Sequence, residues 1–216
     1  MTTAQRTANN AIKSALFTRN ILSVYYSASP ADIQGGSDWY ARAQVIAKQF
    51  SATYGLSVEV CAGVISALSP RKEWSINVRI AESIIARYTA TGLSALRHGG
   101  TLTAQLRQVD KVLSLNNPTA NDVAESFGGP KTAAFARNII GDLSGVCVDG
   151  HASNIAFHGM TRLGIPDATS PKGPLYGLIA AAYTNAAKQL GIAPATLQAV
   201  TWLSYKSLPI PRKASK

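Results

Sequence analysis

The chain is short of acid, short of cysteine and without any long apolar run, and each shortage narrows what it is. Eleven Asp and Glu stand against 21 Lys and Arg, a formal net charge of +10. A polyanion is the natural partner of such a surface, nucleic acid ahead of membrane because no strongly amphipathic basic helix stands out. The plainer reading of the same charge is a solubilising surface. The only cysteines, Cys61 and Cys147, sit in apolar runs without metal-ligand spacing, so the expectation is two reduced, buried thiols and no metal. The first residues, Met1 to Arg6, lack the hydrophobic block of a signal peptide, and no run of roughly 18 apolar residues is present to span a bilayer. The protein is therefore expected to stay in the cytoplasm, that of the host if its source is viral, with no membrane partner. Strictly alternating β-branched runs are also scarce, whereas Ala is abundant, which points to an all-α protein. With 216 residues there is enough chain for one good-sized core or for two lobes.

What is there reads as a succession of helices. Apolar residues at Ile12, Leu16, Ile21, Leu22 and Tyr25 predict a first helix over 4–27, stopping before Ser29-Pro30. The polar, glycine-containing segment Ala31 to Ser37 reads as a loop, with Ser37 or Asp38 as a cap for a helix from Trp39 to Tyr54 that Gly55 ends. Val58 to Leu68 is nearly all apolar and predicts a central helix buried on most sides. Ser69-Pro70-Arg71-Lys72-Glu73-Trp74 follows: a helix break, two cations and an aromatic ring, a candidate nucleic-acid-facing loop, although Trp74 taken alone is expected to pack inward. Further helices are predicted over 77–88, 103–115, 119–126, 130–142, 149–163, 175–190 and 194–205. His98-Gly99-Gly100 and the Pro, Lys and Gly-rich 165–174 are read as turns or loops, and 209–216 as a disordered basic tail that grazes a phosphate backbone.

Two stretches carry candidate chemistry. In Phe127-Gly128-Gly129-Pro130-Lys131-Thr132-Ala133, the glycines read as a tight turn feeding a helix with Pro130 at its first position, a place where backbone N–H groups suit a phosphate. Eighteen residues after Lys131, the short extended run Val146-Cys147-Val148 delivers Asp149 to the head of another helix, where local chemistry makes it an N-cap. Taken singly, a lysine in a first helical turn is a solvated surface group and an aspartate before a helix is only a cap. His151 reads either as a contact to phosphate or base, or as a packed residue.

Lys131-Thr132-Ala133 and Val148-Asp149-Gly150-His151, at this spacing, resemble the helix-hairpin-helix DNA glycosylase superfamily, especially its endonuclease III-like branch. Ile65-Ser66-Ala67-Leu68-Ser69, with Asn77 beyond, is similar to the family's helix and wedge loop. The likeness covers about residues 60–170. It implies a two-lobed, all-α glycosylase fold, with one lobe over 37–143, a second made of 1–36 and 144–208, and 209–216 as a tail. It implies duplex DNA with an extruded base as partner and no cofactor. Lys131 is then the Schiff-base nucleophile and Asp149 the essential carboxylate. Gly128, Gly129, Thr132, Ser69, Pro70, Arg71, Lys72 and His151 become DNA contacts, and Leu68 or Pro70 the wedge. Departures are Phe127, where the family's hairpin has glycine, and Gly150, where it has Thr or Val. The four-cysteine iron-sulfur motif of many relatives is missing, and two cysteines cannot ligate that cluster.

The function expected from this likeness is a base-flipping DNA N-glycosylase, with AP-lyase activity through Lys131, acting on a modified or damaged base. One alternative is a viral DNA-hypermodification transferase of the same fold, joining an amino acid or polyamine to an activated 5-hydroxymethyluracil in DNA. Another is a non-enzymatic helical DNA-binding module. A monomer is the expected state.

Overall fold

The computed structural model describes residues 2–98, 101–161 and 169–208, and among these every regular element is helical. In chain order the helices are α1 (Thr3–Tyr26), α2 (Pro30–Ser37), α3 (Trp39–Tyr54), α4 (Val58–Leu68), α5 (Trp74–Thr91) and α6 (Thr103–Leu113). They continue with α7 (Ala120–Ser126), α8 (Pro130–Ile140), α9 (Gly150–His158), α10 (Pro174–Leu190) and α11 (Pro194–Ser207). A single 3-10 turn, Ala95–Arg97, lies between α5 and α6.

Local chemistry accounts for most of the boundaries. Thr2, Ser29 and Thr119 open α1, α2 and α7 with capping boxes, each hydroxyl accepting from the N3 amide while the N3 side chain returns to the cap. Pro130, Pro174 and Pro194 occupy first turns, where the missing N–H costs nothing. Gly92, Gly141 and Gly191 close α5, α8 and α10 in the left-handed conformation.

The chain forms two compact units. One contains the residues up to Trp39 together with those from Leu143 onward, and the other runs from Tyr40 to Asp142. In the first, α1 packs on α9 and α10, and α11 packs on α2. Phe17, Ile21, Val24, Ile155, Ile179, Tyr183 and Leu197 make its core. In the second, α4 is the axis: Val60 to Leu68 are all buried, and α5, α6, α7 and α8 pack around it. Side chains such as Ile65 and Leu68, with no exposed surface, each contribute about 1.5–3 kcal/mol of burial.

Three expectations need correction. The segment from Ala31 to Ser37 is helix, not loop: Ser29 and Pro30 start α2, and Gly36 lets it lie against α11. A Cβ at Gly36 would stand 2.5 Å from the Cα and N of Val200, so the glycine that looked like a loop signal is a close-packing residue. Asp38 closes α2 and stands directly before α3. Val146 to Val148 is not extended strand but two successive tight turns, with Val148 N–H donating to Val146 C=O and Asp149 N–H to Cys147 C=O, both at 3.0 Å. Finally, α9 stops at His158, short of 163, at Gly159 with φ 58°. The expectations for Gly99, Gly100, residues 162–168 and the basic tail 209–216 lie outside the described residues.

Candidate functional site

The α7–α8 hairpin presents Lys131. The end of α7 is held from α6, where Lys111 Nζ donates to the Ser126 carbonyl at 2.6 Å and Gln108 Nε2 donates to it at 3.1 Å. Phe127, the residue that departs from the family pattern, turns its ring into the core. The two glycines after it do not make the tight turn foreseen. Neither has positive φ, Gly129 being extended at φ −157° and ψ 148°, and a Cβ at either would meet nothing within 4 Å. Neither backbone strain nor packing within the chain therefore calls for glycine at these positions. Gly129 caps α8 without a side-chain hydrogen bond, so the first turn keeps amide donors that no side chain satisfies.

Lys131 and Thr132 form that first turn, both half-buried. Ser66, fully buried in α4, donates its hydroxyl to the Thr132 carbonyl at 2.7 Å. This bond pins the lysine-bearing turn to the axis of the unit. Ser66 lay inside the motif quoted from α4, but no local signal marked its partner.

The loop after α4 is tied from below. Gln105 Nε2, in α6, donates to the Pro70 carbonyl at 2.9 Å, and Lys72 N–H donates to the Ser69 carbonyl at 3.2 Å. Arg71 is exposed with φ 60°, a conformation non-glycine residues rarely adopt. The Trp74 ring packs edge-on against Phe135 at 6.3 Å, as expected for an inward aromatic. Leu68, however, has no exposed surface; it is a core side chain of α4 and does not fit the wedge role. Ser69 and Pro70 are half-buried at the head of the loop, with Arg71 exposed and Lys72 half-buried beyond them. Asn77 is also buried; its Nδ2 donates to the Ile65 carbonyl at 3.0 Å and its Oδ1 has no hydrogen-bond partner. It ties α5 to α4.

Asp149 and His151 belong to the other unit. Asp149 caps α9, its Oδ1 accepting from Ala152 N–H at 2.8 Å. The turn that delivers it is clamped by Tyr176 of α10, whose hydroxyl donates to the Val146 carbonyl at 2.7 Å and accepts from Val148 N–H at 3.3 Å. Burial pushes the Tyr176 pKa up, and Cys147 and Asp149 add to the rise when charged. Tyr183, bonded to Thr201, is raised chiefly by burial as well, with a smaller push from Asp149.

His151 stands in an aromatic cluster that sequence reading missed. Its ring lies 6.4 Å from Trp202 and 6.0 Å from Tyr205. Trp202 meets Trp39 at 5.4 Å and carries the Lys206 ammonium 4.2 Å from its ring centroid. Trp39, His151 and Trp202 are half-buried, so this is a polar-edged aromatic surface. The spacing of Trp202, Tyr205 and Lys206 along α11 was the available signal, but only folding brings Trp39 and His151 to it.

Among the described residues no group of three or more His, Cys, Asp or Glu is placed to hold a metal, and no single helix is long and apolar enough to cross a membrane. Both cysteines are free and buried. The model of DUF7178, described as a family of unknown function, matches residues 3–208, and the chain belongs to that family. No curated protein matches the chain, and no solved structure does either.

Proposed function

We propose that this member of DUF7178 is a cytoplasmic, base-flipping DNA enzyme on a helix-hairpin-helix glycosylase fold. It removes a modified or damaged base with Lys131 as nucleophile and Asp149 as the stabilising carboxylate. The observation that carries the reading is the Gly128-Gly129 segment before α8. Two glycines that neither φ nor packing demands stand before an uncapped helix N-terminus with a half-buried lysine in its first turn. Glycine in that setting allows close approach of a ligand to the backbone, and the amides of the first turn suit a phosphate.

In this chemistry the neutral amine of Lys131 attacks the anomeric carbon of the extruded nucleotide. The glycosidic C–N bond breaks and its electron pair leaves with the base, which takes up a proton. The Asp149 carboxylate stabilises the positive charge that develops on the sugar, and the Tyr176 clamp keeps that carboxylate in place. The proton released by the attached amine goes to the ring oxygen as the sugar opens, leaving an iminium on Lys131; loss of a C2′ proton then expels the 3′ phosphate, and water hydrolyses the imine to free the lysine. The surplus of ten positive charges favours duplex DNA as the partner. Binding energy from phosphate contacts offsets the few kcal/mol needed to extrude the base.

The test is incubation with duplexes carrying candidate modified or damaged bases, followed by borohydride trapping, assay of abasic sites and mass analysis of digested nucleosides. The expected result is a covalent adduct with the wild type and none with Lys131→Ala. A nucleoside that gains mass without loss of its base would replace the glycosylase by a transferase. Tight binding with neither outcome would leave a DNA-binding module.

A further inference from the structure

The aromatic cluster of the first unit has no part in the chemistry above. Trp202, Tyr205 and Lys206 stand at i, i+3 and i+4 along α11 and share one face of that helix. The backbone of Val200, in the same helix, takes α2 in close contact because position 36 is glycine. Trp39 follows the end of α2 directly, and its ring reaches Trp202 at 5.4 Å with the two planes tilted by 52°. His151 comes from α9, two residues after Asp149, and stands nearly perpendicular to Trp202, at 74°.

Packing alone does not complete this cluster. Trp39, His151 and Trp202 are half-buried rather than core, and among the described residues no hydrogen bond within the chain reaches the His151 ring. A neutral imidazole thus offers one donor and one acceptor beside an indole. A face of Trp202 carries the Lys206 ammonium, 4.2 Å from the ring centroid, and Lys206 is itself exposed. An exposed side chain changes rotamer on a fast timescale, so this cover leaves without repacking of the core.

The chemistry of the cluster selects its ligand. A planar ring with a polar edge uses both the indole face and the imidazole, and an anion attached to that ring uses the ammonium. A nucleotide supplies all three. A cationic ligand would meet the Lys206 charge at the same ring, and an aliphatic anchor would leave the His151 edge unmet. Stacking of a base on an aromatic side chain is worth about five- to a hundredfold in affinity, against about two- to fivefold for an exposed ammonium over a ring, so a base displaces the ammonium.

We propose that this cluster is a nucleobase site. An unpaired base stacks on Trp202, His151 meets its polar edge, and Lys206 turns from the ring to the adjoining phosphate. The inference deepens the proposed function and rests on it for the origin of the base, which is extruded from a duplex; the stacking itself involves no catalytic step.

The experiment compares the full chain with its Trp202→Leu and His151→Ala variants. Fluorescence anisotropy follows binding to two labelled single strands of about 12 nucleotides, oligothymidylate and an abasic strand of tetrahydrofuran residues with the same phosphates. The wild type should bind the thymidine strand at least roughly fivefold more tightly than the abasic one. Its tryptophan fluorescence should change with the thymidine strand and not with the abasic strand. Trp202→Leu should lose most of the preference and His151→Ala part of it, while affinity for the abasic strand, which reads phosphate contacts alone, holds. Circular dichroism and melting temperature check that each variant is folded; should Trp202→Leu unfold, His151→Ala decides. Equal affinity of the wild type for the two strands overturns the proposal even if Lys131 is trapped on DNA. So does a preference that every folded variant keeps, and so does a wild type that binds neither strand. A preference that these substitutions remove, in a protein that yields no trapped adduct and no altered nucleoside, supports the site and sinks only the catalytic reading.

Discussion

The Tyr176 hydroxyl donates to the Val146 carbonyl at 2.7 Å and accepts from the Val148 amide at 3.3 Å, so one buried phenol satisfies both sides of the turn that ends in Asp149. Tyr176→Phe keeps the ring and removes the bridge. It should cost about 0.5–1.5 kcal/mol, because the buried Val146 carbonyl and Val148 amide lose the phenol and keep only their bond to each other, and denaturant midpoints will read this. If Tyr176 positions Asp149, the variant should also lose kcat while KM changes little, since the carboxylate is needed in the transition state and not for binding. A stability loss with unchanged kcat would confine Tyr176 to a structural role.

Two kinds of glycine should separate stability from DNA affinity. Gly128→Ala and Gly129→Ala introduce a Cβ that meets nothing within 4 Å, so stability should stay level or rise by up to ~1 kcal/mol through the less flexible unfolded chain. Affinity for duplex DNA should nevertheless fall if a phosphate approaches this backbone. Gly36→Ala should do the reverse. Its Cβ would stand 2.5 Å from the backbone of Val200, which cannot swing aside, and a loss on the order of 2–3 kcal/mol should appear as a lower urea midpoint.

Alkaline pH should unfold the first unit through its buried tyrosines. Tyr176 and Tyr183 both have pKa values raised above the ordinary 10.0, with burial the leading cause. Between pH 10 and the raised values the folded chain keeps these protons and the unfolded chain loses them. The stability they contribute is therefore complete below about pH 10 and declines as pH rises beyond it. In a spectrophotometric titration of the eight tyrosines, at least Tyr176 and Tyr183 should ionise only together with loss of the helical circular dichroism signal. Ionisation of all eight before unfolding would contradict the burial.

Cys61 should be inert in the native protein. Burial, with the nearby Glu59 charge, pushes its thiol up to about 12, so at pH 8 the reactive thiolate is on the order of one molecule in 10⁴. Iodoacetamide at that pH, read by peptide mass spectrometry, should label Cys61 in denaturant and leave it unmodified in the folded chain.

What the sequence determined by itself was whatever local chemistry decides. Ser29, Ser57, Thr119 and Asp149 cap the helices they precede because a side-chain oxygen needs only the next three residues to find its amide. The unbroken apolar run of Val58 to Leu68 marked the most buried helix for the same reason, since a segment without a polar face has nowhere to go but inside. The tertiary structure decided everything that depends on distant partners. Ser66 reaches Thr132 across 66 residues, and Tyr176 reaches Val146 across 30. Position 36 is glycine because Val200 packs against it, and Leu68 is core because α6 and α8 close over α4. None of these pairings leaves a periodic trace in the chain. Gly128 and Gly129 changed meaning in the same way: as residues they were a turn, and as part of the fold they are backbone held open before Lys131.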